Sequence, residues 1–164
     1  MDVQQAAFEL VSTRFPDQLL GEGAHAGQRW IDVRRERIVE VLKTLHDQIP
    51  FEMLMDVTAV DWLDQGRPER FCIVYQLYSV SQKGYARVKA WVPEADASIA
   101  TLSGVWASAN WGEREVYDMY GITFDGHPDL KRILLPETYP GFPLRKDYPL
   151  TGHGERYDFP KHTR

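Results

Sequence analysis

Apolar positions along this chain recur first with helical spacing and then with strand spacing. Ala7, Leu10, Val11 and Phe15 fall three and four apart before Pro16 breaks the run, which predicts a short helix within residues 1–20. Gly21 to Gly27 reads as a Gly-rich turn. Trp30 to Val33 reads as a short strand, and Ile38, Leu42, Leu45 and Ile49 mark one face of a helix that stops near Pro50. From there the period shortens to two. Phe51, Met53, Met55, Val57 and Ala59 alternate with Leu54, Asp56 and Thr58, so the two sets are expected on opposite faces of a strand. Phe71 to Tyr78 is nearly continuous in β-favouring residues, and Tyr85 to Val92 sets Ala86, Val88, Ala90 and Val92 against Tyr85, Arg87, Lys89 and Trp91.

The turn chemistry of Asp64–Pro68 and Gln82–Gly84 makes these three strands an antiparallel meander, which needs helices on one face. Pro93 is expected to open a helix carrying Ile99, Leu102 and Trp106 on one side. A further helical turn or two is expected from Trp111 to Tyr120, closed by Gly121. Beyond Gly121 no hydrophobic period persists, and residues 122–164 hold six of the ten prolines. Such a segment cannot build its own core. Yet it contains Phe124, Leu130, Ile133, Leu134, Leu135, Phe142, Leu144, Tyr148 and Tyr157, too many large apolar residues for a solvated linker. The reading is α+β: a small, mostly antiparallel sheet with helices on one face across residues 1–121, then an extended Pro-rich C-terminal arm across 122–164 that wraps a partner.

Composition narrows the chemistry. A chain of 164 residues with 43% hydrophobic residues supports one core. The net charge of -5 argues against nucleic acid, which needs uncompensated Lys and Arg. Residues 122–164 carry seven basic against six acidic side chains, so the head holds -6 of that charge. Cys72 is the only thiol, which excludes an internal disulfide and any iron–sulfur cluster held by four thiolates of this chain. It sits within an apolar run and reads as a small buried hydrophobe. The N-terminus does not resemble a secretory signal, and the longest uncharged stretch, Ala97 to Gly112, is too short and polar for a membrane span.

Few residues suggest a reaction. The glycines of Gly21 to Gly27 have the wrong spacing for a dinucleotide loop, with helix and strand in reversed order. On a helix, Glu113, Arg114, Glu115 and Asp118 lie close together through i,i+3 and i,i+4 spacing. With His127 beyond them, Glu115 and Asp118 could form a two-carboxylate, one-imidazole metal site of a free-standing hydrolase. The favoured reading is an ion-pair network that fixes helix to arm or partner. In the arm, Arg145 is expected as an interface anchor because a guanidinium holds a carboxylate through two parallel hydrogen bonds. His153 and His162 have no identifiable partner and are expected to be exposed.

The run Glu113-Arg-Glu-Val-Tyr-Asp-Met-Tyr-Gly-Ile-Thr-Phe-Asp-Gly-His127-Pro-Asp-Leu-Lys-Arg132-Ile-Leu-Leu-Pro136, continued by Gly141-Phe-Pro-Leu-Arg145-Lys146-Asp147-Tyr-Pro149, resembles the C-type subunit family of the NADH-quinone oxidoreductase of respiratory complex I. The Thr138-Tyr-Pro-Gly141 loop is a departure, where relatives often carry a Trp. The resemblance implies a cofactor-free structural subunit of the peripheral arm, with no active site of its own. It also implies partners in the large quinone-site subunit of D type and the iron–sulfur subunits of B and I types. The location it implies is peripheral, on the cytoplasmic side of the inner membrane, and the chain's end soon after the motif does not suggest the form fused to the D-type partner. Equivalent subunits serve complex-I-like hydrogenases and plastoquinone-linked dehydrogenases, which stand as the alternative assemblies.

Overall fold

The computed structural model describes residues 2–154; Tyr157, Pro160 and His162 lie outside the described residues. A helix, α1 (Val3–Arg14), is capped by the Asp2 carboxylate, which accepts from the Gln4 N–H. Two strands follow, β1 (Leu19–His25) and β2 (Gln28–Arg34), then the helix α2 (Ile38–Gln48). The meander is β3 (Met53–Asp61), β4 (Phe71–Ser79) and β5 (Gly84–Val92). A short strand β6 (Ser98–Ala100), the helix α3 (Ala109–Tyr120) and a short strand β7 (Thr123–Asp125) complete the elements.

The main sheet runs in the order β1-β2-β5-β4-β3. All its neighbours are antiparallel except β2 and β5, so the sheet is mixed. The parallel pair forms because the chain leaves β2 through α2, builds the hairpins, and returns to the same sheet beside β2. Ile31, Val33, Val57, Ala59, Ile73, Tyr75, Leu77, Val88 and Ala90 point into one face and meet Ala7 and Val11 of α1 and Val41, Leu42 and Leu45 of α2 in a single cluster. Burying each large side chain there contributes about 1.5–3 kcal/mol.

Three expectations change. Residues 21–25 are strand, not turn: β1 is an edge strand, and at Gly23 the Trp30 indole of its neighbour lies where a Cβ would stand, at 2.2 Å. The 93–106 stretch forms no α-helix. It holds a single 3-10 turn at Glu94–Asp96, then β6, then turns, because β6 pairs in parallel with β7 from beyond α3. Ile99, Leu102 and Trp106 are still buried, so their helical spacing reflects core contact without helical backbone. In β3 the alternation breaks where the register shifts between Leu54 and Asp56, leaving Leu54 buried and Met53 and Met55 exposed.

Gly121 ends α3 in the left-handed conformation, at φ 72°, and a Cβ there would meet the Phe142 ring at 2.6 Å and an Arg145 guanidinium nitrogen at 2.8 Å. Gly121→Ala is therefore expected to lower stability by roughly 1–3 kcal/mol, from backbone strain plus displaced arm contacts. Urea unfolding of both proteins measures it, and an unchanged midpoint would mean that the arm does not press on this turn.

Candidate functional site

Helix α3 exists because Val116 and Met119 give it a buried side and Gly121 stops it. Its chemistry lies in three charged residues that are also buried: Glu113, Arg114 and Asp118. Burial of charge is tolerated only with partners, and each has them.

Arg114 and Asp118, one turn apart, grip consecutive peptides of the arm. Arg114 donates from Nε to the Lys131 carbonyl at 3.1 Å and from Nη2 to the Arg132 carbonyl at 3.2 Å. The Oδ2 of Asp118 accepts the next three backbone N–H groups, of Ile133, Leu134 and Leu135, at 3.0, 2.7 and 2.9 Å. Its Oδ1 accepts from Arg132 Nη1 at 2.7 Å. Arg132 then donates through Nη2 to the carbonyls of Tyr139 and Gly141, which folds the following loop over it. The arm thus offers carbonyls to a cation and amides to an anion. Burial alone would raise the Asp118 pKa, but the Leu135 N–H, the Arg132 guanidinium and the other two amides together hold it below its ordinary 3.8.

A second clamp joins the hairpin of β3 and β4 to the arm at Lys146 and Asp147. Asp61 and Arg70 face each other across the hairpin mouth, with Nε to Oδ1 at 3.0 Å and Nη2 to Oδ2 at 2.8 Å, the bidentate geometry that suits a buried pair. Arg70 also pairs with Glu94 and, at 2.8 Å, with Asp147, while the Lys146 N–H donates to Asp61. Arg145 lies over the rings of Phe71 and Phe142 and donates from Nε to the Tyr120 carbonyl at 2.5 Å. Asp61 is pushed upward by burial, yet its bonds to Arg70 and to the Lys146 and Leu63 N–H groups hold its pKa low, and Asp61 raises that of Arg70.

Glu113 is different: it is fully buried, and among the described residues no Lys or Arg pairs with it. It accepts from the Leu102 N–H at 2.7 Å and is hydrogen-bonded to the Thr101 hydroxyl, and burial pushes its pKa up to about 7.

The residues singled out from sequence are distributed as follows. Glu113, Arg114, Asp118, Arg132, Arg145 and Asp147 meet at the junction of head and arm, and Lys146 joins it through its backbone. Pro136 accepts the Tyr139 N–H in the loop beyond. Glu115 is exposed. His127 donates from Nε2 to the Asn110 carbonyl and accepts the Asp129 N–H at Nδ1. The trio Glu115, Asp118 and His127 is not brought together, and among the described residues no three His, Cys, Asp or Glu side chains could hold one metal ion. His153 is exposed but not alone, since its ring stands edge-on to Tyr148 at 5.0 Å. Burial pushes the Cys72 thiol up to about 12, which makes it unreactive. Among the described residues no helix is long and apolar enough to cross a membrane. Asp61 and Arg70 were missed from sequence; the signal was an acid and a base bracketing one hairpin loop.

Asp118→Asn keeps the size of the side chain but leaves Arg132 without its counter-charge. A loss of about 3–5 kcal/mol is expected, the usual cost of breaking a buried pair from one side. Because the folded pKa of Asp118 lies below its ordinary value, the carboxylate's contribution is present at neutral pH and is lost as pH falls through the folded value. Acid unfolding of the variant should therefore depend less on pH than that of the parent, and an equal change of urea midpoint with pH in both proteins would refute this.

The chain matches, over residues 31–154, the family described as respiratory-chain NADH dehydrogenase, 30 Kd subunit. It is 49% identical over 141 residues to the NADH-quinone oxidoreductase C subunit of Geobacter metallireducens, covering 86% of each chain. It is 48% identical over 148 residues to the protein of that name from Trichlorobacter lovleyi, covering 90% of this chain and 91% of that one. Among solved structures it is similar to the trypsin-resistant fragment of Nqo5, with a TM-score of 0.67 and 34% identity over 77% of this chain and 99% of that one. A chain of an archaeal membrane-bound sulfane sulfur reductase shares the fold, with a TM-score of 0.76 and 22% identity over 98% of this chain and 94% of that one.

Proposed function

This chain belongs to the 30 Kd subunit family of respiratory-chain NADH dehydrogenase, and from that premise we propose that it is a structural and assembly subunit of the peripheral arm of an NADH:quinone oxidoreductase. It holds no redox group, and NADH oxidation, electron transfer through iron–sulfur clusters and quinone reduction take place on neighbouring subunits. Its partners are the large quinone-site subunit of D type and the iron–sulfur subunits of B and I types, on the cytoplasmic side of the inner membrane.

The observation that carries this reading is the state of the arm. Its backbone is fastened to the head by the Asp118 and Asp61 clamps, while Leu134, Leu144 and Leu150 are 62%, 50% and 108% exposed. A chain that orders its backbone and still turns leucines outward has lowered the entropy cost of docking before a partner arrives. Apolar side chains fixed in this way suit an interface core rather than solvent. The trypsin resistance of the Nqo5 fragment supports a compact head in that relative.

Tagged at its N-terminus and recovered from detergent-solubilised membranes, the chain should bring down the quinone-site and iron–sulfur subunits. Leu134→Asp together with Leu144→Asp should cut that recovery about tenfold or more while leaving the urea midpoint of the isolated chain unchanged, because both side chains are exposed. Recovery of the chain alone from the parent preparation would contradict the assembly role. Recovery with hydrogenase subunits would assign it to a related complex.

A further inference from the structure

All three helices pack on one side of the main sheet, where Ala7, Val11, Val41, Leu45, Ala109 and Val116 meet its inward side chains. Asp61, in step with Val57 and Ala59, points that way as well and reaches the arm. Among the described residues no helix or strand covers the other face. The strand registers set out what that face carries. Trp30 stands beside Arg87 and Gln76, Asp32 beside Lys89 and Val74, and Arg34 beside Trp91, Cys72 and Val60. Asp32 is already committed, since it accepts both indole N–H groups, of Trp30 at 3.0 Å and of Trp91 at 3.1 Å.

The cations of this face have no such commitment. Lys89 Nζ lies 3.7 Å from the centre of the Trp30 ring, and the Arg67 guanidinium, from the β3–β4 loop, lies 4.7 Å from that of Trp62, which neighbours Trp91. Arg87 donates to the side-chain oxygens of Gln76 and Gln28, and Arg34 is exposed. Among the described residues none of the four pairs with a carboxylate, whereas Arg29, Arg35, Arg37 and Arg70 each meet one. Burial pulls the Lys89 pKa below its ordinary value, and the charges of Arg87 and Arg67 add to the effect, as for a cation short of a counter-charge. Beside β1 the face deepens into a groove of about 530 Å³ lined by Leu20, Arg34, Arg67, Pro68, Trp91 and Pro93. Leu20 is 45% exposed there; Glu36 and Glu69 also line the groove but pair with none of these cations. Trp30 and Trp62 each have a cation over the ring, which leaves little for a nucleic-acid base to stack on. We propose that this face docks an acidic segment of a neighbouring subunit, which lays an apolar side chain against Leu20 and Trp91 and sets carboxylates against Arg34 and Arg67. A guanidinium takes a carboxylate through two parallel hydrogen bonds, and Arg67 and Lys89, resting on rings, are positioned before the partner arrives. The inference rests on the assembly reading above and adds a second contact, on the side of the sheet away from the helices.

The test uses the complex that the tagged chain recovers from detergent-solubilised membranes, with Arg67→Lys to place a primary amine in the groove. A carbodiimide joins an amine to a carboxylate only where the two touch. Peptide mapping should therefore find position 67, Lys89 or both linked to an Asp or Glu of another subunit. Arg34→Glu together with Arg67→Glu should cut recovery of that subunit about tenfold or more and leave the urea midpoint of the isolated chain unchanged, since both side chains are exposed. Replacing the linked carboxylate of the partner by Arg should restore recovery with the double variant, which a merely structural role of the two arginines would not allow. Neighbouring subunits recovered without such a link, links only to carboxylates of this chain or of a second copy, or undiminished recovery in the double variant would each overturn the docking and leave the assembly reading standing. A parent chain recovered alone would overturn both.

Discussion

The bond on which this structure depends is the one between a single buried carboxylate and three consecutive peptides. Asp118 takes the N–H groups of Ile133, Leu134 and Leu135 on one oxygen and the Arg132 guanidinium on the other. Three successive amides converge on one point only when the chain bends around it, so this contact sets the path of the arm and does not merely attach it. Arg114, a turn earlier, takes the preceding carbonyls and fixes the direction in which the arm crosses α3. Beyond β7, residues 131–135 thereby have these backbone groups accounted for without helix or sheet.

The hairpin of β3 and β4 has the complementary role. Asp61 and Arg70 would be costly to bury if either stood alone, and their mutual bidentate contact leaves capacity for attachments from the arm: the Lys146 N–H on Asp61 and the Asp147 carboxylate on Arg70. The two clamps hold the arm at residues 132–135 and again at Lys146 and Asp147. At, between and beyond them Leu134, Leu144 and Leu150 face outward, and this division of the arm into a bound backbone and outward side chains links the fold to an assembly function.

Much of this was legible in the sequence where period and chemistry agreed. The strands β4 and β5 and the helix α2 carry unbroken patterns because each buries one face against the same core. The strand β1 was not legible, since its glycines have little strand preference and pairing with β2 holds it in place. The 93–106 stretch misled because Ile99, Leu102 and Trp106 are buried at helical spacing in a segment whose partner, β7, lies beyond a helix. At the site, Glu113, Arg114, Asp118 and Arg132 stood out as residues, but the closure of Asp118 onto amides fifteen to seventeen positions away has no local signature. Glu113 read as one member of an ion-pair network, and its burial sets it apart.

The most direct measurement is amide hydrogen exchange of the isolated chain, read at Ile133, Leu134 and Leu135. An arm held ready by Asp118 predicts that these three amides are protected well above unfolded rates, and that in Asp118→Asn they fall together to near-unfolded rates while the amides of β4, though weakened by the loss of global stability, stay protected. Exchange at unfolded rates in the parent chain would show that the arm is ordered only by its partners, and would contradict the account.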